Sequence, residues 1–130
     1  MIGMDTSAVI DFFKGDASLK EVLESVDEKL VLNRIIYLET MFGIDKNKKL
    51  HQNEEEFYDE LFSSLIVFEL DKKSSKQSSR ILNDLKKKGN TIGLFDCTIA
   101  GIFLSNGVNK ILTRNTKHFE NIKGLKVISY

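Results

Sequence analysis

Asp5, Glu39 and Asp96 are acids in places where folding has no use for one. Asp5 ends the run Met1-Ile2-Gly3-Met4. Glu39 interrupts Ile35-Ile36-Tyr37-Leu38 and Met41-Phe42. Asp96 stands between Ile92-Gly93-Leu94-Phe95 and Ile99-Ala100-Gly101-Ile102. A carboxylate taken out of water is costly unless it is paired, protonated or bound to a metal. Three of them in apolar surroundings point to one shared task, and holding a divalent cation is the simplest. Mg²⁺ or Mn²⁺ prefers oxygen ligands and cancels the repulsion inside such a cluster. An ion held there can activate water and neutralise charge on a phosphodiester; two ions about 3.5–4 Å apart would do both. No zinc pattern is present, because Cys97 is alone and His51 and His118 lack ligand spacing.

Each acid also has a plainer reading. Asp96 suits the cap of a helix that begins there, and Asp5 suits a turn, with Thr6 or Ser7 capping the next helix. Asn115 has the same alternative. Glu39 lies within a helix and has no capping role, so its plainer reading is a salt bridge with Arg34 or Lys46. Arg34 and Lys46 are five and seven residues away, not the three or four of a helical pair. Cys97 reads as a small buried residue, and His118 as part of a partly exposed turn.

The elements that must position these residues alternate in type. Ile2–Met4, Leu30–Leu32, Ser64–Leu70, Lys110–Thr113 and Leu125–Ile128 read as strands, rich in β-branched and other apolar residues. Between them, Ser18 and Glu21 have capping-box spacing for a helix over 17–26. Asn33 caps a helix reaching about Lys46, and Asn53 with Glu56 opens another. Asp71 opens a long polar helix to Lys88, stopped by Gly89-Asn90, and 96–105 forms an apolar helix ended by Asn106-Gly107. A short turn or helix follows at Asn115–Phe119. This pattern predicts an α/β fold: one domain over 1–130, with a mostly parallel sheet of four to five strands flanked by helices. In such sheets the site lies at the carboxyl ends of the strands. Asp5 and Asn115 fall at such ends, Asp96 at a helix start on the same edge, and Glu39 nearby.

The helix holding Glu39 is apolar nearly all round: Ile35, Ile36, Tyr37, Leu38, Met41, Phe42 and Ile44. Such a helix needs cover on both sides, from the core and from a second subunit or other partner, or entirely from the core.

Charge is divided along the chain although the total is zero. Residues 1–70 carry 15 acids and 7 bases, and residues 71–130 carry 4 acids and 12 bases, so the halves are −8 and +8. A basic half points toward a polyanion, or else to a solvated helix face. No apolar run approaches the roughly 18 residues of a membrane span, and no basic-then-apolar leader is visible. A lone cysteine forms no internal disulfide, so a cytoplasmic setting is expected.

At these residues the chain resembles the PIN domain family, and within it the VapC-type toxins. The motifs are Met4-Asp5-Thr6-Ser7 with Ile10 and Asp11 following, then Tyr37-Leu38-Glu39-Thr40. Next come Ile92-Gly93-Leu94-Phe95-Asp96-Cys97-Thr98-Ile99-Ala100 and Leu112-Thr113-Arg114-Asn115-Thr116-Lys117-His118-Phe119. The resemblance spans essentially the whole chain. It implies an endoribonuclease dependent on Mg²⁺ or Mn²⁺, a homodimer, and pairing with an antitoxin protein. It implies Asp5, Glu39 and Asp96 as metal ligands and catalytic residues, with Asn115 completing the site. On that reading Asp5 and Asp96 hold the ion directly, while Glu39 holds it or orients the attacking water. Thr6, Thr113 and Asn115 support the site from outside the ligand set. Lys86, Lys87, Lys88, Arg114 and Lys117 are candidates for RNA phosphate contacts. Position 115 is Asn where many members have Asp; an amide brings no charge, which favours one tightly held ion.

Other classes fit less well. A haloacid-dehalogenase-type phosphatase wants a second Asp where Ser7 stands, and a response-regulator receiver wants an acidic pair that is absent. A catalytically silent PIN-like module, binding nucleic acid or protein, is the alternative that Asn115 leaves open.

Overall fold

The central strand, β1 (Ile2–Met4), has every residue buried, which is what a strand covered by helices on both faces requires. The computed structural model describes the backbone of residues 1–130 and every side chain except that of Leu50. After β1 come α1 (Thr6–Lys14), α2 (Ala17–Ser25), β2 (Leu30–Asn33) and α3 (Arg34–Phe42). A short 3₁₀ turn at Lys49–His51 precedes α4 (Glu54–Ser64), β3 (Ile66–Phe68), α5 (Lys72–Lys88) and α6 (Leu94–Ser105). The chain closes with β4 (Lys110–Leu112), α7 (Thr116–Phe119) and β5 (Lys126–Ile128).

The five strands form one parallel sheet in the order β3-β2-β1-β4-β5. The expected α/β architecture is therefore the observed one, a single domain with helices flanking the sheet. The chain builds outward from β1 to β3, then returns to the other side of β1 for β4. That reversal opens a crevice at the carboxyl ends of β1 and β4. The register there is fixed by Gly3 opposite Ile111 and Met4 opposite Leu112.

Two glycines set how closely the layers meet. A Cβ on Gly3 would lie 2.5 Å from the Phe103 ring, so Gly3 lets α6 lie directly on β1. A Cβ on Gly101 would lie 2.8 Å from the Ser78 backbone nitrogen, so α5 and α6 touch nearly backbone to backbone. The core that results includes Met4, Val9, Val31, Leu32, Ile36, Tyr58, Ile99, Phe103, Ile111 and Phe119.

Several local readings are corrected. Helix α2 is capped by Asp16, whose carboxylate accepts the Leu19 N–H at 2.9 Å; the Ser18–Glu21 box does not form. Helix α3 starts at the expected Asn33 cap but ends at Phe42 rather than Lys46. Gly43 is a poor helix former, and Asp45 accepts the Asn47 N–H in a local turn that competes with the helix. Asn53 precedes α4 without a side-chain cap bond, because its own backbone is already helical. Asp71 does cap α5, in a reciprocal box with Ser74. Helix α6 begins at Leu94, two residues before the expected start, with Gly93 at the cap position.

Candidate active site

The β1–β4 crevice is where the sequence's acids meet. Asp5 directly follows β1, and its N–H donates to the Leu112 carbonyl of β4 at 3.0 Å. The side chain is only 3% exposed. Asp5 precedes α1 yet makes no side-chain cap bond to it. Instead its Oδ2 accepts from the Thr113 hydroxyl at 2.8 Å and from the Ser7 hydroxyl at 3.1 Å. Asp5 does sit in the turn before α1, but its carboxylate is held by Thr113 across the crevice and by Ser7 two residues on, not by a bond to the helix backbone.

Glu39 comes from the second turn of α3. Its Oε1 accepts from the Thr6 hydroxyl at 2.6 Å, so the neighbouring hydroxyls of Thr6 and Ser7 grip different acids, Glu39 and Asp5. Burial pushes the Glu39 carboxyl above the ordinary glutamate range; the Thr6 bond opposes this, and the charges of Asp5 and Asp96 add to it. Asp96 is the third residue of α6, not its cap. Its Oδ2 lies 3.0 Å from His118 Nδ1. Burial raises the Asp96 carboxyl, the adjacent His118 opposes the rise, and Asp5 reinforces it. The three acids feel one another, and each has a hydroxyl or imidazole partner.

The fourth corner is tied in through Thr113. This fully buried side chain donates to Asp5 and accepts the Asn115 N–H at 2.9 Å. Asn115 precedes α7, and its side chain makes no cap bond. The loop is braced from behind by Asp11, itself 3% exposed. Asp11 accepts from Arg114 Nη1 at 3.1 Å and from the Tyr130 hydroxyl at 2.6 Å. Arg114 also donates its backbone N–H to Ser7 Oγ. Its guanidinium braces Asp11 through Nη1 while the side chain stays more than half exposed. Lys117 is exposed on α7, and Lys86, Lys87 and Lys88 are exposed on the last turn of α5, where Lys88 pairs with Asp84.

Two participants were not legible in the sequence. His118 has no motif spacing to Asp96; only its place three residues after Asn115 on a short helix hints that it faces the same edge. The Asp11–Tyr130 bond joins residues 119 apart.

Among the described residues no three His, Cys, Asp or Glu side chains stand as a ready-made metal cage. Glu39 is turned to Thr6 and Asp96 to His118. The donor chemistry still suits a hard cation: carboxylate oxygens, two of the three groups raised by burial and mutual repulsion, a condition that a positive ion relieves. A cleft of ≈ 500 Å³ lined by Glu39, Gly93, Leu94, Phe95 and Asp96 gives a substrate access to these acids.

The family model of the PIN domain matches residues 2–125. The chain is 29% identical over 130 residues to ribonuclease VapC1 of Rickettsia felis, covering 97% of this chain and 93% of that one. It is 27% identical over 124 residues to the tRNA(fMet)-specific endonuclease VapC of Shigella flexneri, covering 95% and 92%. Its fold superposes with a TM-score of 0.82, at 25% identity, on a chain of VapBC2 from Rickettsia felis solved bound to a promoter DNA fragment, covering 100% and 99%. A parallel sheet with acids gathered at its switch point and a family match across nearly the whole length lead to one assignment: this chain belongs to the PIN domain family.

Proposed function

We propose that the chain is a divalent-metal-dependent endoribonuclease, the toxin of a toxin–antitoxin pair, acting on RNA in the cytoplasm. The observation that carries this reading is the meeting of Asp5, Glu39 and Asp96 at one sheet edge, each with its own supporting partner. The named ribonuclease relatives support it.

Asp5, Glu39 and Asp96 would hold Mg²⁺ or Mn²⁺. When bound, the ion supplies charge neutralisation at the phosphate and lowers the pKa of its water. The chain's own residues do the rest. Thr113 and Ser7 fix Asp5, the most buried of the three acids, so one corner of the site is rigid. Glu39, half-buried and reachable from the cleft, orients the attacking water. His118 holds Asp96 in place. Asn115 offers an uncharged oxygen at the fourth corner, which favours a single tightly held ion. Lys117 and Lys86–Lys88 supply positive charge for the RNA backbone.

Antitoxin pairing and a homodimer belong to the same proposal. Chains of toxin–antitoxin complexes such as VapBC2 share the fold, and α3 leaves Ile35, Leu38 and Met41 only partly covered. Light scattering of the free chain reads the second of these.

The test is cleavage of total RNA in Mg²⁺ or Mn²⁺, with Asp5→Asn as control and circular dichroism as the check on folding. Loss of cleavage in a folded Asp5→Asn variant is expected. Undiminished cleavage by the wild type under complete chelation would overturn the metal mechanism.

A further inference from the structure

Helix α5 carries a charge pattern that neither folding nor the acid site uses. Its 17 residues include seven Lys or Arg and a single acid, Asp84. Ser74, Ile81 and Leu85 form its buried side. On the opposite side the helical repeat lines up Lys72, Lys76, Arg80, Asn83 and Lys87, all exposed, over about 22 Å. That side presents cations and neutral polar groups, with no carboxylate and no aromatic ring. At the start of the helix a groove of ≈ 480 Å³ is lined by Asp71, Lys72, Lys73, Lys76 and Arg80. Asp71 is the one acid there, and its Oδ1 already accepts the Ser74 N–H at 2.8 Å and the Ser74 hydroxyl at 2.9 Å. Among the described residues none of these four cations makes an ion pair.

Helix formation alone would select against this arrangement. The N-terminus is the positive end of the helix dipole, so Lys72 and Lys73 are unfavourable in the first turn. Lys72 with Lys76, and Lys76 with Arg80, are like charges four residues apart, which weakens a helix. Lys86–Lys88 differ: they sit at the negative end, and Lys88 pairs with Asp84. Cations kept where they weaken their own helix point to a bound anion.

Three features say which anion. The row is long and straight, which suits a polymer of phosphates better than one small ion. It also leads to the acids. Helices α5 and α6 lie side by side, meeting at Ser78 and Gly101, and residues 89–93 join the Lys88 end of α5 to the Leu94 end of α6, where Asp96 stands. An RNA with its scissile bond at the acids can therefore continue along α5. Finally, α5 has no aromatic residue. Surfaces for unpaired bases supply rings to stack on. A paired stem hides its bases and shows phosphates and 2′-hydroxyls, which Lys, Arg, Ser and Asn side chains can meet.

We propose that Lys72, Lys76 and Arg80 form an RNA-docking row apart from the catalytic edge, holding the phosphate backbone of a paired stem that flanks the cleaved bond. This rests on the endoribonuclease reading. The three are positioning residues: they touch no reacting atom and bring the scissile bond to the Asp5–Glu39–Asp96 site.

The experiment compares Lys72→Gln/Lys76→Gln/Arg80→Gln with a control that loses the same charge at three other exposed lysines, Lys20→Gln/Lys29→Gln/Lys48→Gln. Glutamine is a good helix former, so α5 should persist, with a Tm no lower than that of the wild type. In an Asp5→Asn background that prevents cutting, binding of a fluorescein-labelled RNA hairpin is followed by anisotropy from about 50 to 200 mM salt. Three lost phosphate contacts make the salt slope shallower by about 2.7, so over this range the unaltered row should lose about 40-fold more affinity than the α5 variant. The control should keep the full slope, and Lys72→Arg/Lys76→Arg/Arg80→Lys should restore it. In cleavage by the chain with Asp5 intact, the α5 variant should raise KM for the hairpin with kcat little changed. An α5 variant with unaltered slope and KM would overturn the proposal. So would a control that loses as much, which would leave only net charge, or an equal loss on a linear RNA of the same length, which would remove the paired stem. Displacement of the hairpin by an acidic peptide at lower concentration than by unlabelled hairpin would overturn it too, assigning the row to a protein partner. Wild-type cleavage of the hairpin, run alongside, separates the two levels: cutting that ignores the α5 changes removes only the docking row, whereas no cutting and no binding removes the endoribonuclease reading with it.

Discussion

Thr113→Val isolates the support of the active site from the site itself. Valine has nearly the shape of threonine, so a side chain that is fully buried stays packed. What disappears is one hydroxyl with two jobs: it donates to Asp5 Oδ2 at 2.8 Å and accepts from the Asn115 N–H at 2.9 Å. A hydrogen bond to a charged group contributes about 1.5–3 kcal/mol, and Asn115 is left with a partly buried unpaired donor that water can reach. Ser7 still donates to Asp5, which limits the loss. We expect ~2–3 kcal/mol of destabilisation in the metal-free chain, measured by urea denaturation. For a chain of this size, that corresponds to a fall in Tm of roughly 7–11 °C. Loss of an outer hydrogen bond to a ligand also weakens metal binding, by about 10–100-fold, read by calorimetric titration with Mn²⁺. Thr113→Ser should restore both. A Thr113→Val protein with wild-type stability and wild-type Mn²⁺ affinity would refute the idea that this hydroxyl links Asp5 to the Asn115 loop.

Further outcomes follow from the same geometry. Glu39 and Asp96 are held above the ordinary carboxylate range, so the folded metal-free chain binds protons there that the unfolded chain has lost. Their contribution therefore makes stability fall as pH rises through the interval between ordinary and raised values, and the penalty is complete above it. Glu39→Gln, which can still accept from Thr6, should raise the Tm in EDTA at pH 7 and flatten this part of the pH profile; a lower Tm would contradict it. Tyr130→Phe removes the 2.6 Å bond to Asp11 and should cost about 1–2 kcal/mol in urea denaturation, while leaving the Arg114–Asp11 pair in place. Gly101→Ala brings a Cβ within 2.9 Å of the Ser78 backbone, which cannot move away alone. It should cost about 1–3 kcal/mol and push α5 from α6, and Gly101→Ser should cost at least as much in the same assay.

Much of the frame was readable one residue at a time. The five strands show as short, largely apolar runs because a doubly covered parallel sheet needs continuous apolar segments. Asn33 and Asp71 announced their helices, since a cap is a local bond between a side chain and a backbone three residues on. Element ends were less legible. The stop of α3 at Phe42 depended on a turn at Asp45 competing with further helix, and the start of α6 lies at Leu94 although no capping side chain marks it.

The acids divide the same way. Asp5, Glu39 and Asp96 stood out in the sequence because a charge in an apolar run is costly wherever the run folds, so their oddity needs no coordinates. What they do together is a matter of contacts between residues far apart in the chain. Only the tertiary structure set Thr113 against Asp5 and Thr6 against Glu39, turned Asp96 from a candidate helix cap into a partner of His118, and joined Arg114 to Asp11. The physical reason is the crossing of the chain from β3 back to β4. It joins residues more than a hundred positions apart at one sheet edge, and no local pattern of sequence carries that distance.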